Sequence, residues 1–157
     1  LANLEIVERL SHFRPPSYVP IGLDATVANG LIDFKFKNNK NHALYIVTQI
    51  SNDTLSIYLL GNKEDLSTEK INIISEIDAV LEPTTLITQD PTLPLGTEII
   101  DFPGAQGYKV SAYKITSVDG IVTNKFLLHN DVFEPEEKTI RVGTQPIPPP
   151  IAVSKPK

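Results

Sequence analysis

The 157-residue sequence contains no cysteine, no methionine and no tryptophan. Without cysteine the chain has no disulfide staples, no thiolate zinc site and no thiol nucleophile, although either redox compartment remains open to it. Basic residues are also scarce. Fourteen Lys and Arg stand against nineteen Asp and Glu, a net charge of -5, so nothing offers an electrostatic footprint for nucleic acid or an anionic membrane surface. No apolar run approaches the length of a membrane-spanning helix, and no charged-apolar-small leader opens the chain. The missing Met and the start at Leu1, inside a stretch that reads as already structured, give the expectation of a piece of something longer.

What is present is patterned. In LANLEIVERL the apolar residues Leu1, Leu4, Val7 and Leu10 recur at helical spacing, which predicts a short amphipathic N-terminal helix. Pro15, Pro16 and Pro20 then force a loop. From Leu31 the period changes to two, with Ile32, Phe34 and Phe36 on one side and Asp33, Lys35 and Lys37 on the other, as in a half-buried strand. The runs ALYIVTQI and TLSIYLL, joined by Ser51-Asn52-Asp53, predict a hairpin. The polar stretch from Gly61 to Thr68 has no periodicity and reads as a linker. Beyond it lie more short strands, with a second hairpin signal at Asp119-Gly120 and a last strand, KTIRVG, before a proline-dense tail suited to polyproline II.

The expected architecture is therefore mainly β in two modules: residues 1–63, a linker at 64–68, a second module at 69–144 and a Pro-rich tail at 145–157. Two modules in this length leave each with a modest core.

Loops held by proline and glycine turns carry His12, Tyr18 and Asp24, with Tyr18 a candidate ligand-binding residue. His12 as a general base and Asp24 as its orienter would make the base pair of a nucleophilic mechanism whose nucleophile is absent. The plain alternative is a surface-loop histidine and a turn-capping aspartate. Tyr108 and Tyr113, five apart, fall on opposite faces of their strand, so Lys109, Ser111 and Tyr113 make the more plausible exposed, ligand-binding strip. Gly104-x-x-Gly107 has no following helix to bind phosphate. His129, Asp131 and Glu134 cluster without metal-ligand spacing and read as a solvated acidic loop, so neither a metal nor a cofactor is expected.

The run EIVER, a nearby His, SYVPIGLDATV and DFKFKNN followed by an apolar hairpin resembles the C-terminal part of VanW-like proteins. In that family a Gly-rich, Cys-containing segment precedes this region, and some members are implicated in peptidoglycan cross-linking through that Cys. The present sequence departs from the pattern by lacking it. The resemblance implies that His12 would accept the thiol proton and Asp24 would fix the imidazole tautomer of an L,D-transpeptidase-like site. Gly96, Gly104, Gly107, Gly120 and Gly143, set in LPLGTEI, FPGAQGYKV, VDGIVTNKF and IRVGT, resemble the five-glycine G-five domain, an elongated module of small antiparallel sheets. Such modules are found on bacterial surface and wall-remodelling proteins and are thought to bind N-acetylglucosamine polymers or to act as spacers. Each glycine also has a physical reading, as a site of positive φ or close backbone approach.

Together these readings predict an extracytoplasmic, cell-wall-associated chain of a Gram-positive type, anchored through a preceding segment. Its partner would be peptidoglycan or another amino-sugar glycan, and its function non-catalytic binding or spacing. One alternative is that it completes a cysteine L,D-transpeptidase whose Cys lies upstream. Another is weak structural self-association through edge strands.

Overall fold

The computed structural model describes residues 2–146, so the expected Pro-rich tail lies outside the described residues from position 147 on. Among the described residues the chain is mainly β. Its strands are β1 (Glu5–Glu8), β2 (Lys35–Lys37), β3 (Tyr45–Ser51), β4 (Thr54–Leu60), β5 (Lys70–Leu81), β6 (Thr85–Pro94), β7 (Glu98–Phe102), β8 (Gly107–Val118), β9 (Ile121–Phe133) and β10 (Lys138–Gln145). The one 3-10 turn among the described residues, Lys63–Asp65, is capped by Asn62, whose side-chain oxygen accepts from the Glu64 amide. The strands form two hairpin-sized sheets, β1-β2 and β3-β4, and two three-stranded sheets, ordered β5-β8-β9 and β6-β10-β7.

The expected N-terminal helix is absent. EIVE instead forms β1, antiparallel to β2, with Glu5 opposite Lys37 and Ile6 opposite Phe36. Lys35 reaches Glu8 at 2.6 Å across the pair. A helix of about ten residues is marginal in water. Here β-branched Ile6 and Val7 favour an extended backbone, and KFK supplies complementary charges across the pair, so tertiary pairing overrides the helical spacing. The strand expected from Leu31 is correspondingly short, since only Lys35–Lys37 joins the ladder.

Both predicted hairpins form. Asn52 and Asp53 have φ of 45° and 62°, and Asp119 and Gly120 have φ of 50° and 82°, the doubly left-handed backbone of a two-residue turn whose twist matches its strands. The sheets are not all antiparallel, because β10 runs parallel to β6 while pairing antiparallel with β7.

The chain divides into two compact units. One comprises the residues up to Asp78 together with Lys109–Val132; its buried apolar residues are Val110 and Ala112, beside buried Asp24, Ser111, Thr116 and Asp131. The other comprises Ala79–Tyr108 with the described residues from 133 to 146 and is built on the β6-β10-β7 sheet. In that sheet Arg141 of β10 binds Asp90 of β6 at 2.8 Å and holds Asp101 of β7 through both Nε and Nη2, so one guanidinium fastens the central strand to both neighbours. Hydrogen bonds from Thr92, together with Arg141, hold the Asp90 carboxyl below its usual range, while Asp101 is lowered chiefly by Arg141. At Gly143 a Cβ would run into the Pro94 carbonyl oxygen, and the Leu93 carbonyl oxygen is 2.8 Å away, so only glycine permits β10 to come this close.

Candidate functional site

The first unit is centred on a buried ionic chain rather than an apolar cluster. Arg9, just after β1, sends Nε to the Asp24 carbonyl at 2.7 Å and Nη1 to Asp131 Oδ1 at 2.7 Å. Its Nη2 lies 3.4 Å from the Gly22 carbonyl and 3.5 Å from Asp24 Oδ1. The side chains of Arg9, Asp24 and Asp131 are 10%, 0% and 8% exposed. Two buried carboxylates thus share one guanidinium, whose fork geometry suits this bridging role.

His12 completes one end. Its backbone N–H donates to Asp24 Oδ2 at 2.7 Å, and its Nδ1 lies 2.8 Å from the same oxygen. A carboxylate only accepts, so Nδ1 carries the proton of this contact. Burial works to raise the Asp24 pKa, but the bonds from the His12 amide and ring and the charge of Arg9 outweigh it and hold the carboxyl below 3.8. Tyr18, 75% exposed, meets the His12 ring edge-on with centroids 6.2 Å apart. At the other end His129 Nε2 donates to the Gly22 carbonyl at 2.9 Å and sits 3.6 Å from Asp131 Oδ2. Gly22 has φ of +80°, and a Cβ there would press on Val110 Cγ1 at 2.6 Å, so glycine lets this loop lie directly on β8.

His12, Asp24 and Tyr18 are therefore brought together, with an imidazole oriented by a carboxylate as general-base chemistry requires. The chain has no cysteine for this imidazole to meet. Asp131 and His129, expected in a solvated acidic loop, instead face the Arg9 and Gly22 contacts, and Asp131 is buried. Among the described residues no group of three or more His, Cys, Asp or Glu is placed to hold a metal ion.

The strip expected on β8 is not a continuous exposed surface. Lys109 is exposed, but Ser111 is buried, with its Oγ 2.5 Å from Asp78 Oδ2 and 2.9 Å from Asn130 Oδ1. The single hydroxyl proton goes to the charged acceptor, Asp78. Tyr113 is half-buried, and Lys125 Nζ lies 4.0 Å from its ring centroid while also binding Glu76 at 2.6 Å, so one ring face is covered. Simple alternation fails here because both faces of β8 are covered around this point: the Gly22 loop lies against Val110, while Ser111 on the opposite face is held by Asp78 and Asn130. Arg9 escaped the sequence reading because its partner Asp131 is 122 positions away and no local spacing encodes that contact.

Comparison with known proteins matches these two stretches to two families. Residues 1–60 match the family model "VanW like protein" and residues 74–145 the "G5 domain" model. The chain is a VanW-like region followed by a G5 domain. The uncharacterized protein YoaR of Bacillus subtilis (strain 168) is 51% identical over 45 residues, 29% of this chain and 15% of YoaR. Resuscitation-promoting factor RpfB of Mycolicibacterium smegmatis is 32% identical over 73 residues, 44% of this chain and 20% of RpfB. The chain therefore matches no more than a fifth of either relative's length. Among solved structures, HP0197-G5 is 32% identical with a TM-score of 0.31, covering 48% of this chain and 95% of that one. The IgA1 protease G5 domain is 20% identical with a TM-score of 0.36, covering 49% and 93%. The Arg9–Asp131 contact thus joins a residue of the VanW-like region to one of the G5 domain inside a single compact unit.

Proposed function

We propose that this chain is a non-catalytic, extracytoplasmic region that holds or spaces a protein on the bacterial wall, with peptidoglycan or another N-acetylglucosamine polymer as its partner. The observation that carries the reading is the G5 match over residues 74–145, directly after a VanW-like region without a nucleophilic sulfur. An acyl-transfer site of the cysteine type needs a thiolate, and His12 with Asp24 supplies only the base half. Co-sedimentation of the chain with purified peptidoglycan and with chitin tests the reading. Depletion from the supernatant by either polymer is expected, and full recovery in the supernatant from both would refute binding.

A second reading rests on the 2.8 Å contact between His12 and Asp24. In it the pair serves cysteine L,D-transpeptidase chemistry. Supplied with a thiol-bearing VanW-like partner, His12→Ala would abolish peptidoglycan cross-linking, whereas undiminished activity removes His12 from the mechanism. A third reading, self-association, draws on exposed Ile46, Ile50, Leu55 and Ile57 in β3 and β4. A sedimentation coefficient independent of concentration would dismiss it.

A further inference from the structure

The β3-β4 hairpin has two chemically unlike faces. Its register pairs Tyr45 with Leu60, Ile46 with Leu59, Val47 with Tyr58, Thr48 with Ile57, Gln49 with Ser56 and Ile50 with Leu55. Because successive side chains alternate, Ile46, Leu59, Thr48, Ile57, Ile50 and Leu55 share one face, which is aliphatic apart from the threonine. The opposite face is mixed: Tyr45 and Leu60, then Val47 and Tyr58, then Gln49 and Ser56. An aliphatic face has only packing to offer. The mixed face combines aromatic rings with amide and hydroxyl groups, and its tyrosines are open, Tyr45 at 68% and Tyr58 at 46% exposure.

The mixed face runs at its base into a cleft of about 340 Å³ lined by His42, Ala43, Tyr45, Leu60, Gly61 and Asn62. Its polar rim is held in place. Asp65, whose side chain is 10% exposed, accepts from the amides of Asn41 and His42 and lies 3.1 Å from His42 Nδ1. His42 is thereby fixed with Nδ1 toward Asp65, and its Nε2 lies 3.7 Å from Glu64 Oε2 at the edge of the cleft. Asn62 spends its Oδ1 on the Glu64 amide, which leaves its side-chain NH₂ as a donor. A volume of this size lies at the lower end of small-ligand sites.

A pyranose ring has one C–H-rich face and a rim of hydroxyl and acetamido groups. It needs an exposed aromatic ring to stack on and fixed polar groups beside it, the amphipathic use for which tyrosine is suited. Tyr45 between His42 and Asn62 supplies both at one point, and Tyr58, diagonally across the ladder, continues the surface toward Gln49 and Ser56. We propose that the Tyr45–Tyr58 face of the β3-β4 hairpin binds a β-linked N-acetylglucosamine chain, with one sugar seated in the His42–Asn62 cleft. This rests on the wall-glycan reading and locates the contact in the VanW-like region, on residues distinct from Lys109, Ser111 and Tyr113 of the G5 domain.

The test is titration of the whole ¹⁵N-labelled chain with tetra-N-acetylchitotetraose, followed by heteronuclear NMR. Amide shifts are expected at His42, Tyr45, Tyr58 and Asn62, and the double variant Tyr45→Ala/Tyr58→Ala should weaken binding about tenfold or more, as truncation of aromatic anchors does. Both rings are exposed, so an unchanged spectrum elsewhere will show that the variant is folded. Shifts confined to β8 and β9, or unaltered affinity in the double variant, would overturn the hairpin site while leaving the wall-glycan reading standing. No response of the wild type anywhere, combined with no sedimentation on peptidoglycan or chitin, would overturn both.

Discussion

Replacing Arg9 with alanine should be among the most damaging single substitutions in the first compact unit. The guanidinium donates to Asp131 Oδ1 and to the Asp24 carbonyl at 2.7 Å each, and it faces Asp24 Oδ1 at 3.5 Å. Its loss leaves two buried carboxylates without their counter-charge. Removing one partner of a buried pair costs about 3–5 kcal/mol. Asp24 retains the amide and ring of His12, which places the expected loss near the lower end of that range. With a urea slope of about 2 kcal/mol/M, a loss of about 3 kcal/mol moves the unfolding midpoint down by about 1.5 M. Against a total stability of about 5–15 kcal/mol that is a large fraction. Far-UV circular dichroism in urea at pH 7 measures it, and tyrosine fluorescence gives a second probe because the chain has no tryptophan. Arg9→Lys keeps the charge but not the fork and should fall between wild type and Arg9→Ala. An Arg9→Ala midpoint within the roughly 0.5 kcal/mol typical of surface substitutions would refute the claim that this ionic chain organises the unit.

Gly143→Ala should disrupt the β6-β10 pairing, because the added methyl meets the Pro94 and Leu93 carbonyls, whereas Gly96→Ala meets nothing within 4 Å and is opposed only by its φ of +84°; amide exchange in β10 distinguishes the two. Ser111→Ala should cost about 0.5–1.5 kcal/mol, because it removes one hydrogen bond while its partners Asp78 and Asn130 are exposed and rehydrate, and a thermal melt indistinguishable from wild type would contradict this. The lowered pKa of Asp24 means that its contribution is fully present above pH 3.8 and is lost as pH falls through the folded value below it. An acid titration of stability should therefore steepen below about pH 4, and Asp24→Asn should remove that part of the slope.

Much of the β architecture could be read locally. Asn52-Asp53 and Asp119-Gly120 need backbone conformations that few residue types tolerate, so their turns announce both hairpins without knowledge of anything distant. Of the five glycines, Gly96, Gly104 and Gly120 take positive φ, a local cause, whereas Gly107 and Gly143 are required by backbone remote in sequence, Phe133 and Pro135 for the first and Leu93 and Pro94 for the second. His12 and Asp24, twelve apart and joined by a proline-rich loop, could be paired on chemical grounds.

Other features depended on partners remote in sequence. EIVE has apolar residues compatible with either a helix or a strand, and it became β1 because KFK lies beside it with opposite charge. Ser111 and Tyr113 have the alternation of an exposed strip, yet Asp78 and Asn130 hold Ser111 and Lys125 covers the Tyr113 ring, so alternation did not predict exposure. Asp131 looks solvated in FLLHNDVFEPEE and is buried because Arg9 meets it across 122 positions. Turn chemistry, the missing sulfur and the hairpin pattern were thus determined by the sequence alone, since backbone sterics and covalent inventory act within a few residues. Which charges are buried, and which strand faces remain open, were decided by the tertiary structure, because desolvation and pairing depend on what the fold brings alongside.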